Sequence, residues 1–489
     1  MKKHLFVLAL LASFAAAPVS AQRAQTKRVP QAVKATAAKT AAQTAQQSAP
    51  EVPIVTKTLA NGMEIIVLRD PAVPLVTVEL AVRNGSFTEP PELNGLSHLF
   101  EHMFFKTSEP IARIRAGKPQ ASDYYLRDIG QLGISFNGTT LEEVVNYYFT
   151  TVNQYMPTAV RVVRDSVRYP VFDEDEFARE KAVVIGELDR HESNPFYYLD
   201  RALKDKLFYK YPTRKNPGGT RETVANATTA QMRLIQSRYY VPNNSALVVT
   251  GDVQPEAVFK TAEELFGDWQ ARAVDPFKEF PLVEHPALPK SEAQIIEQPI
   301  ENVFLSIGWH GPSVGKDNAA TYAADVFSYI LTQPNSRFQR KLVDSGLTAG
   351  VSIGYYTQRN VGPIQVTGVS APEKAREAVK AIYGEIAQFN NPNYFTDEEL
   401  ESAKTILAAN DLYDREKLSD YAHTLSFWWS TTGVDYFRGY QKNLRAVTRA
   451  DINRYITTYI QNKPHVAVAM LSPDAQNTIK LTDDELIGK

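Results

Sequence analysis

The chain has 489 residues, a length typical of two large domains or three smaller ones, and its 44% hydrophobic and 22% charged residues indicate a globular protein with a large core. The net charge is −2 and no basic cluster stands out beyond the extreme N-terminus, which argues against nucleic acid as a partner. The chain contains no cysteine, which excludes disulfides, a lipid-attachment cysteine and any cysteine-ligated metal site.

The N-terminal residues have the three-part pattern of a secretory signal. Lys2-Lys3 precedes an apolar run over residues 5–17, and Val19-Ser20-Ala21 supplies small residues for cleavage. We therefore expect residues 1–21 to be a cleaved signal peptide and the protein to be exported to the periplasm of a Gram-negative bacterium. The alternative is a buried N-terminal helix. No later stretch reaches the roughly 18 uncharged residues of a transmembrane helix, so no transmembrane span is predicted.

Residues 22–50 consist almost entirely of Ala, Gln, Thr, Lys, Pro and Ser. Such a segment cannot bury enough apolar surface to offset the entropy that it would lose on ordering. We expect a disordered leader here, and folded structure from residue 51 onwards.

Strands and helices alternate in the first half of the remaining chain. Asn61-Gly62 lies between two apolar β runs and predicts a hairpin. Period-2 and helical patterns predict strands at 54–59, 63–68, 75–82 and 245–250, and helices at 96–105, 157–168, 175–191 and 255–266.

A Pro-rich connector over residues 276–289 leads to a second half with a similar order of elements. Strands are predicted at 303–309 and 465–471, and helices at 319–331, 337–344, 372–389, 396–417 and 449–460. The repeated order suggests an internal duplication. We expect an α+β fold of two homologous domains, 51–275 and 290–480, each a mixed sheet covered by helices.

The pattern with the clearest chemistry is His98-Leu99-Phe100-Glu101-His102. On a helix, residues i and i+4 share a face, so His98 and His102 can present two imidazoles to one metal ion. Glu101 lies beside them, where a carboxylate can take a proton from a water molecule that the metal activates. Zinc suits this set because it accepts nitrogen and oxygen ligands and keeps one position open in catalytic sites. The order His-x-x-Glu-His is the inverzincin signature.

Chance is the alternative explanation of this motif. Composition alone gives it a probability of roughly one in a hundred in a chain with eight histidines. The other histidines lack comparable spacing and are expected to be surface or hydrogen-bonded residues: His4, His191, His285, His310, His423 and His465.

Longer segments include and follow the motif: GLSHLFEHMFFK at 95–106, FNGTT at 136–140, FDEDEFAREK at 172–181, VIGE at 184–187 and YVPNNSALVVTGD at 240–252. In these segments the chain resembles the pitrilysin family of zinc peptidases, which includes insulin-degrading enzymes and the mitochondrial processing peptidase. The resemblance covers residues 54–473. It implies a peptidase with one zinc ion per chain, in which this chain forms half of a clamshell.

The third zinc ligand of this family is a Glu on a later helix, and a second important Glu precedes it by seven residues. Glu187 and Glu180 match that pair here, so the resemblance implies that Glu187 is a ligand and that Glu180 orients a ligand. The alternative, stronger for Glu180, is a solvated helix charge. The stretch between His102 and Glu187 exceeds the family's usual length by roughly ten residues, and we expect the extra length within residues 111–127.

Residues 136–139 match the edge strand of the family to which a substrate peptide adds as a further strand. The resemblance implies that Asn137 and Gly138 bind substrate, with Asn137 anchoring its backbone. The local sequence is equally compatible with a simple turn at Asn137-Gly138.

Complete enzymes of the family use an Arg and a Tyr from a C-terminal half to bind substrate and stabilise the oxyanion. The matching positions here hold Val343 and Gly350, and Arg340, Tyr355 and Tyr356 lie nearby but out of register. We therefore expect a heterodimer with a homologous subunit that supplies the Arg and Tyr. A homodimer would lack both residues.

The expected function is that of an exported zinc metalloendopeptidase subunit that hydrolyses peptides or unfolded polypeptides. The alternative is a non-catalytic peptide-binding or assembly subunit. The intact Glu101 argues against this alternative, because a scaffold has no need of a general base. A different hydrolase is a third option, but nothing in the sequence suggests a pocket for phosphate or sugar.

Overall fold

The computed structural model describes residues 54–489 except 124, 126–129, 131–132 and 415, so the predicted signal peptide and leader lie outside the described residues. The strands are β1 (Ile54–Thr58), β2 (Glu64–Arg69), β3 (Leu75–Val82), β4 (Ser135–Thr140), β5 (Val145–Val152), β6 (Ser245–Gly251), β7 (Glu292–Glu297), β8 (Val303–His310), β9 (Gly350–Tyr355), β10 (Pro363–Ser370) and β11 (Val466–Leu471). The helices are α1 (Leu96–Phe104), α2 (Glu109–Arg115), α3 (Met156–Arg168), α4 (Glu174–Glu192), α5 (Pro195–Leu207), α6 (Arg221–Ala225), α7 (Thr229–Tyr239), α8 (Pro255–Phe266), α9 (Pro276–Glu279), α10 (Asn318–Thr332), α11 (Arg337–Gln339, continued by a π-turn over Arg340–Asp344), α12 (Ala375–Ile386), α13 (Asp397–Asp414), α14 (Leu418–Thr431), α15 (Val434–Ala446), α16 (Arg449–Tyr459), α17 (Pro473–Ile479) and α18 (Asp483–Leu486).

The first sheet has the strand order β1-β2-β6-β3-β5-β4. Its first two strands form the predicted hairpin, in which Gly62 adopts a φ of 87° that a side chain would strain. β2 and β6 pair in parallel, and the remaining neighbours pair antiparallel. β1 and β4 are therefore the two edge strands, and among the described residues no strand pairs with the outer edge of β4.

The second sheet repeats this pattern one strand shorter, in the order β7-β11-β8-β10-β9. β7 and β11 are parallel, like β2 and β6, and the next three pairs are antiparallel, like their counterparts in the first sheet. The expected α+β fold with mixed sheets covered by helices is confirmed. We propose that each sheet with its helices is one domain, with the boundaries 51–275 and 290–480.

The two sheets share apolar contacts. Ile66, Ala81 and Val248 of the first sheet belong to the same buried cluster as Trp428 and Trp429 of α14. This helix packs across β3 and β6, so an element of the second half covers one face of the first sheet. The opposite face of the first sheet carries its own core, which includes Leu96, Leu99 and Phe100 of α1.

Two buried charges of the first half hold a loop of the second half. The Glu143 carboxylate accepts the backbone N–H groups of Arg359 at 2.8 Å and Asn360 at 2.9 Å. Lys215 donates to the Gln358 side chain and to the carbonyls of Asn360 at 2.6 Å and Val361 at 3.0 Å. We call Glu143, Lys215 and the loop 358–361 the interdomain clasp.

Most predicted elements agree with the structure to within two residues. The predicted helix at 372–389 instead begins with a 3₁₀ turn and is α-helical over Ala375–Ile386, and residues 340–344 form a π-turn. Asn137-Gly138 lies in β4, so the alternative of a simple turn is wrong.

None of the helices among the described residues combines the length and apolar character that a bilayer crossing requires.

Candidate metal centre

The candidate site lies between α1 and α4, two helices whose starts are well specified. α4 begins at Asp173, whose side chain accepts the N–H groups of Asp175 and Glu176, and its first turn is acidic, which suits the positive end of a helix. Phe177, Val184 and Leu188 bury one face of α4. Glu180 and Glu187 are two turns apart on the face that meets α1.

The structure brings His98, His102 and Glu187 together. The Nε2 atoms of His98 and His102 lie 3.4 Å and 3.5 Å from Glu187 Oε2, and the candidate ligand atoms all lie within 4.8 Å of one another. No other such group of histidine and carboxylate ligands occurs among the described residues. The sequence motif and the later helix therefore form one cluster.

The spacing of these atoms fits zinc. Nitrogen and oxygen ligands at about 2.0–2.1 Å from a tetrahedral zinc ion stand about 3.4 Å apart. The His–Glu separations of 3.4 Å and 3.5 Å match that value. Two imidazoles and one carboxylate are also a known catalytic zinc set, which leaves the fourth position for water or substrate.

Burial shifts the pKa of His98 in this cluster and of Glu101 beside it. Burial, together with the nearby His102 and His191, lowers the pKa of His98 to about 4, so its imidazole is neutral and free to bind a metal at neutral pH. Burial raises the pKa of Glu101 to about 7, and the Thr140 hydroxyl and His102 oppose this rise. A bound dication would also oppose this rise, because it attracts the ionised carboxylate.

Glu180 lies behind His102. Its Oε2 is 3.2 Å from His102 Nδ1, and its Oε1 accepts Lys106 Nζ at 2.6 Å. The contact leaves Nε2 of His102 directed at Glu187. By contrast, the buried Nδ1 of His98 has no hydrogen-bond partner among the described residues.

β4 forms the other wall of the site. Thr140 Oγ1 donates to Glu101 Oε2 at 2.7 Å. A Cβ on Gly138 would lie 2.7 Å from Glu101 Cγ and Oε1, so a larger residue there would force the carboxylate to move. The exposed Asn137 side chain accepts the N–H of Gly138 at 2.9 Å. The structure thus places both predicted substrate residues beside Glu101, on the open edge strand.

These walls enclose an open cleft of about 470 Å³ that contains His98, Glu101, His102 and Glu187. Phe105 and Phe136 also line it, stacked with ring centroids 5.2 Å apart. Phe136 is 56% exposed, so its ring is accessible from the cleft.

Sequence reasoning had not assigned roles to Thr140, Lys106, Phe105 and Phe136. Each lies inside a segment that resembles the family, but their contacts with Glu101, Glu180 and one another depend on tertiary structure. A local sequence pattern alone could not have identified those contacts.

The positions that match the family's Arg and Tyr hold Val343 and Gly350 in this chain. Val343 packs against the core of the second half, and Gly350 begins β9 without a side chain. Tyr355 is buried and its hydroxyl donates to the Pro312 carbonyl at 2.8 Å, while the Tyr356 hydroxyl donates to Glu142 at 3.2 Å. Both tyrosines are thus engaged within the fold.

Comparison with known proteins supplies independent findings. Residues 64–217 match the family described as insulinase (peptidase family M16), and residues 226–407 match the peptidase M16 inactive domain. The uncharacterized zinc protease YmxG of Bacillus subtilis is 26% identical over 350 residues, which is 71% of this chain and 81% of the relative.

Two solved structures share the fold. A protease from Helicobacter pylori aligns with a TM-score of 0.74 at 19% identity, over 86% of this chain and 99% of that one. The periplasmic protease PqqL of Escherichia coli aligns with a TM-score of 0.69 at 17% identity, over 89% of this chain but 49% of that one. The fold described above thus corresponds to about half of the PqqL chain, as expected of one half of a clamshell.

Proposed function

Because this chain belongs to the pitrilysin/insulinase family of peptidases, family M16, we propose that it is an exported zinc metalloendopeptidase subunit that hydrolyses peptides or unfolded polypeptides. The observation that carries the proposal is the convergence of His98, His102 and Glu187 in the cleft that also holds Glu101. The description of the Bacillus subtilis relative as a zinc protease supports it.

In the proposed mechanism, His98, His102 and Glu187 hold one zinc ion per chain. A bound zinc ion would supply Lewis acidity, which polarises a peptide carbonyl and lowers the pKa of a water molecule towards neutrality. The neutral His98 and the hydrogen bond that His102 Nδ1 donates to Glu180 prepare the two imidazoles for that role.

Glu101 acts as the general base. Its carboxylate accepts a proton from the attacking water and, once protonated, can donate it to the departing amine. Burial makes Glu101 a stronger base than an exposed glutamate, and a bound zinc ion would offset part of this gain. The Thr140 hydroxyl fixes the carboxylate, and the lack of a side chain at Gly138 leaves room for it.

The substrate is proposed to add to the free edge of β4 as an extended strand. Backbone hydrogen bonds along Asn137 and Gly138 would bind many sequences, because they depend little on side chains. The stacked rings of Phe105 and Phe136 line the same cleft and favour an apolar substrate side chain near the cleaved bond. An unfolded or flexible peptide suits this geometry, since it can become extended.

Glu180 is proposed to orient His102. Glu180→Gln is expected to weaken zinc binding about 10- to 100-fold, because the charged partner of His102 Nδ1 is lost while all three ligands remain. Competition with a chromogenic chelator measures this change.

The matched control for Glu180 is Glu192→Gln on the same helix, whose carboxylate pairs with Arg221 away from the cleft. Its zinc affinity should equal that of the wild type. Equal affinities in the Glu180 and Glu192 variants would show that Glu180 is only a solvated helix charge.

A homologous partner subunit is proposed to complete the site. Zinc polarises the substrate carbonyl, but the family also uses an Arg and a Tyr there, and the matching positions here are Val343 and Gly350. Tyr355 cannot replace the tyrosine without losing its buried bond to Pro312. We favour a heterodimer over a homodimer, because two copies of this chain would still lack both residues.

The purified single chain is therefore expected to be at least about 100-fold less active than the chain co-expressed with its partner, since one oxyanion donor is commonly worth 10²–10³ in turnover. Turnover of a quenched fluorescent peptide by both preparations, with subunit content checked by mass spectrometry, measures the difference. Full activity of the single chain, with no second subunit detected, would refute the heterodimer.

The periplasm is the proposed location, on the basis of the predicted signal peptide over residues 1–21, and the fold shared with a periplasmic protease is compatible with it. The protein recovered from the periplasmic fraction of an expressing Gram-negative cell should begin at residue 22, as measured by intact-mass spectrometry. An uncleaved N-terminus in the cytoplasmic fraction would contradict export.

A non-catalytic peptide-binding or assembly subunit is the second candidate function. It is favoured by the match of residues 226–407 to a domain described as inactive and by the residues at positions 343 and 350. Such a subunit would bind an extended peptide along β4 without cleaving it, alone or with its partner. The intact Glu101 and the zinc-compatible spacing support the catalytic proposal instead.

A further inference from the structure

Glu89 is a buried carboxylate beneath the N-terminus of α1, the helix that carries the zinc motif. Its Oε1 accepts the N–H of Ser97 at 2.6 Å, and its Oε2 accepts the N–H of Gly95 at 2.8 Å. These backbone donors belong to the groups that a helix leaves unsatisfied in its first turn. Gly95 is the N-cap residue and has no side chain to satisfy them, so Glu89 caps the helix from outside.

The polar contacts of Glu89 favour its anionic form. Asn94 Nδ2 donates to Oε2 at 3.3 Å, and the Ser97 hydroxyl also bonds the carboxylate. That hydroxyl accepts Asn84 Nδ2 at 3.0 Å, which leaves its own proton for Glu89. A protonated carboxyl would need an acceptor, and among the partners of Glu89 in the described part of the chain only the Ser97 hydroxyl can accept; the two backbone N–H groups and Asn94 Nδ2 can only donate. Burial raises the pKa of Glu89 above its ordinary value, and these four donors oppose that rise.

This anion lies close to the first metal ligand in sequence and in structure. His98 directly follows Ser97 and occupies the first turn of α1. The aligned peptide dipoles make that turn electropositive, which disfavours a cation bound to His98. A negative charge under the same turn offsets this potential.

His98 also lacks a side-chain partner like the carboxylate that orients the His102 ring. Glu180 faces His102 Nδ1, whereas the buried Nδ1 of His98 has no hydrogen-bond partner in the part of the chain that the structure describes. The placement of His98 therefore depends on the backbone of the first helical turn. Glu89 is the charged group that fixes this backbone.

We propose that Glu89 is a positioning residue of the metal centre: its charge anchors the first turn of α1 and raises the affinity of the His98-bearing site for a divalent cation. This inference rests on the proposed function, since it takes His98, His102 and Glu187 as the zinc ligands. Glu89 itself touches neither the metal nor the substrate.

The test is Glu89→Gln in the full chain, compared with Glu143→Gln. Both residues are buried carboxylates that accept two backbone N–H groups, but Glu143 does so in the interdomain clasp. Both metal-free variants should lose thermal stability. Only Glu89→Gln should bind zinc about tenfold more weakly or worse, as measured by chelator competition. Equal zinc affinity in the two variants would overturn the proposal.

Glu89→Asp keeps the test decisive if Glu89→Gln does not fold. It retains the charge, so its zinc affinity should stay within about threefold of the wild type, and a loss of tenfold or more would overturn the role of the charge. A wild-type chain that binds no zinc would refute the proposed metal centre itself. A wild type that binds zinc, with an equally tight Glu89→Gln variant, would refute only the role of Glu89.

Discussion

Replacing Glu101 with glutamine should lower peptide turnover at least about a thousandfold while zinc remains bound. Turnover is measured with the chain co-expressed with its proposed partner subunit. Glutamine keeps the size of the side chain and can still accept the Thr140 hydroxyl, but it cannot take a proton from water. The next carboxylates in the cleft are Glu180 and Glu187, and both are engaged with the histidines. Among the described residues that line the cleft, no other group is therefore placed to act as the base.

Two measurements make this result specific. Elemental analysis should find one zinc ion per chain in the Glu101→Gln variant. The control variant Glu192→Gln changes a half-buried carboxylate elsewhere on α4 and should leave turnover unchanged. A Glu101→Gln variant that retains near-normal activity would remove Glu101 from the mechanism. Loss of zinc in this variant would instead suggest that Glu101 contributes to binding the metal.

His102→Ala and Glu187→Gln should each abolish detectable activity by removing a ligand. Structural zinc sites bind the ion with about 10–16 kcal/mol shared by four protein ligands, or about 2.5–4 kcal/mol per ligand, so the loss of one of the three ligands here should weaken zinc binding roughly a hundred- to thousandfold. Elemental analysis after dialysis against a chelator should find little zinc in these variants. In the wild type, added zinc should restore the activity that the chelator removes.

The matched control is His191→Ala, which removes a histidine of α4 that lies outside the ligand group. This variant should keep its zinc and most of its activity. If Glu187→Gln retains full metal while Glu180→Gln or Glu192→Gln loses it, then Glu187 is not the third ligand.

The sequence predicted those parts of the site that depend on helical spacing. His98, Glu101 and His102 lie within five residues, so the period of one helix brings them to one face. Glu187 is 85 positions after His102, and no periodicity links the two helices. Its assignment came from resemblance alone, and the structure places it 3.4 Å from His98 Nε2. Its role as a ligand stays a prediction until metal binding is measured.

Other parts of the fold could not be predicted in this way. Glu89 lies in a Pro-containing loop without periodicity, so nothing in its neighbourhood indicates that its carboxylate caps α1. β9 contains two glycines, at 350 and 354, which weaken the local β signal, yet tertiary pairing with β10 makes it an edge strand. The correspondence between the two sheets likewise became clear only from strand order and direction, because identity between the halves is low.

The interdomain clasp has a consequence for how the protein folds. Unfolding the first half alone would leave the loop 358–361 without its buried partners Glu143 and Lys215, and would uncover Trp428 and Trp429. Exposed apolar surface costs about 25 cal/mol per Å², and a buried donor or acceptor left without a partner adds about 1–3 kcal/mol. Loss of either half therefore destabilises the other, and the two halves should melt as one cooperative unit. In the proposed heterodimer, the chain would then move as one body, and an opening that admits a substrate would take place between the two subunits.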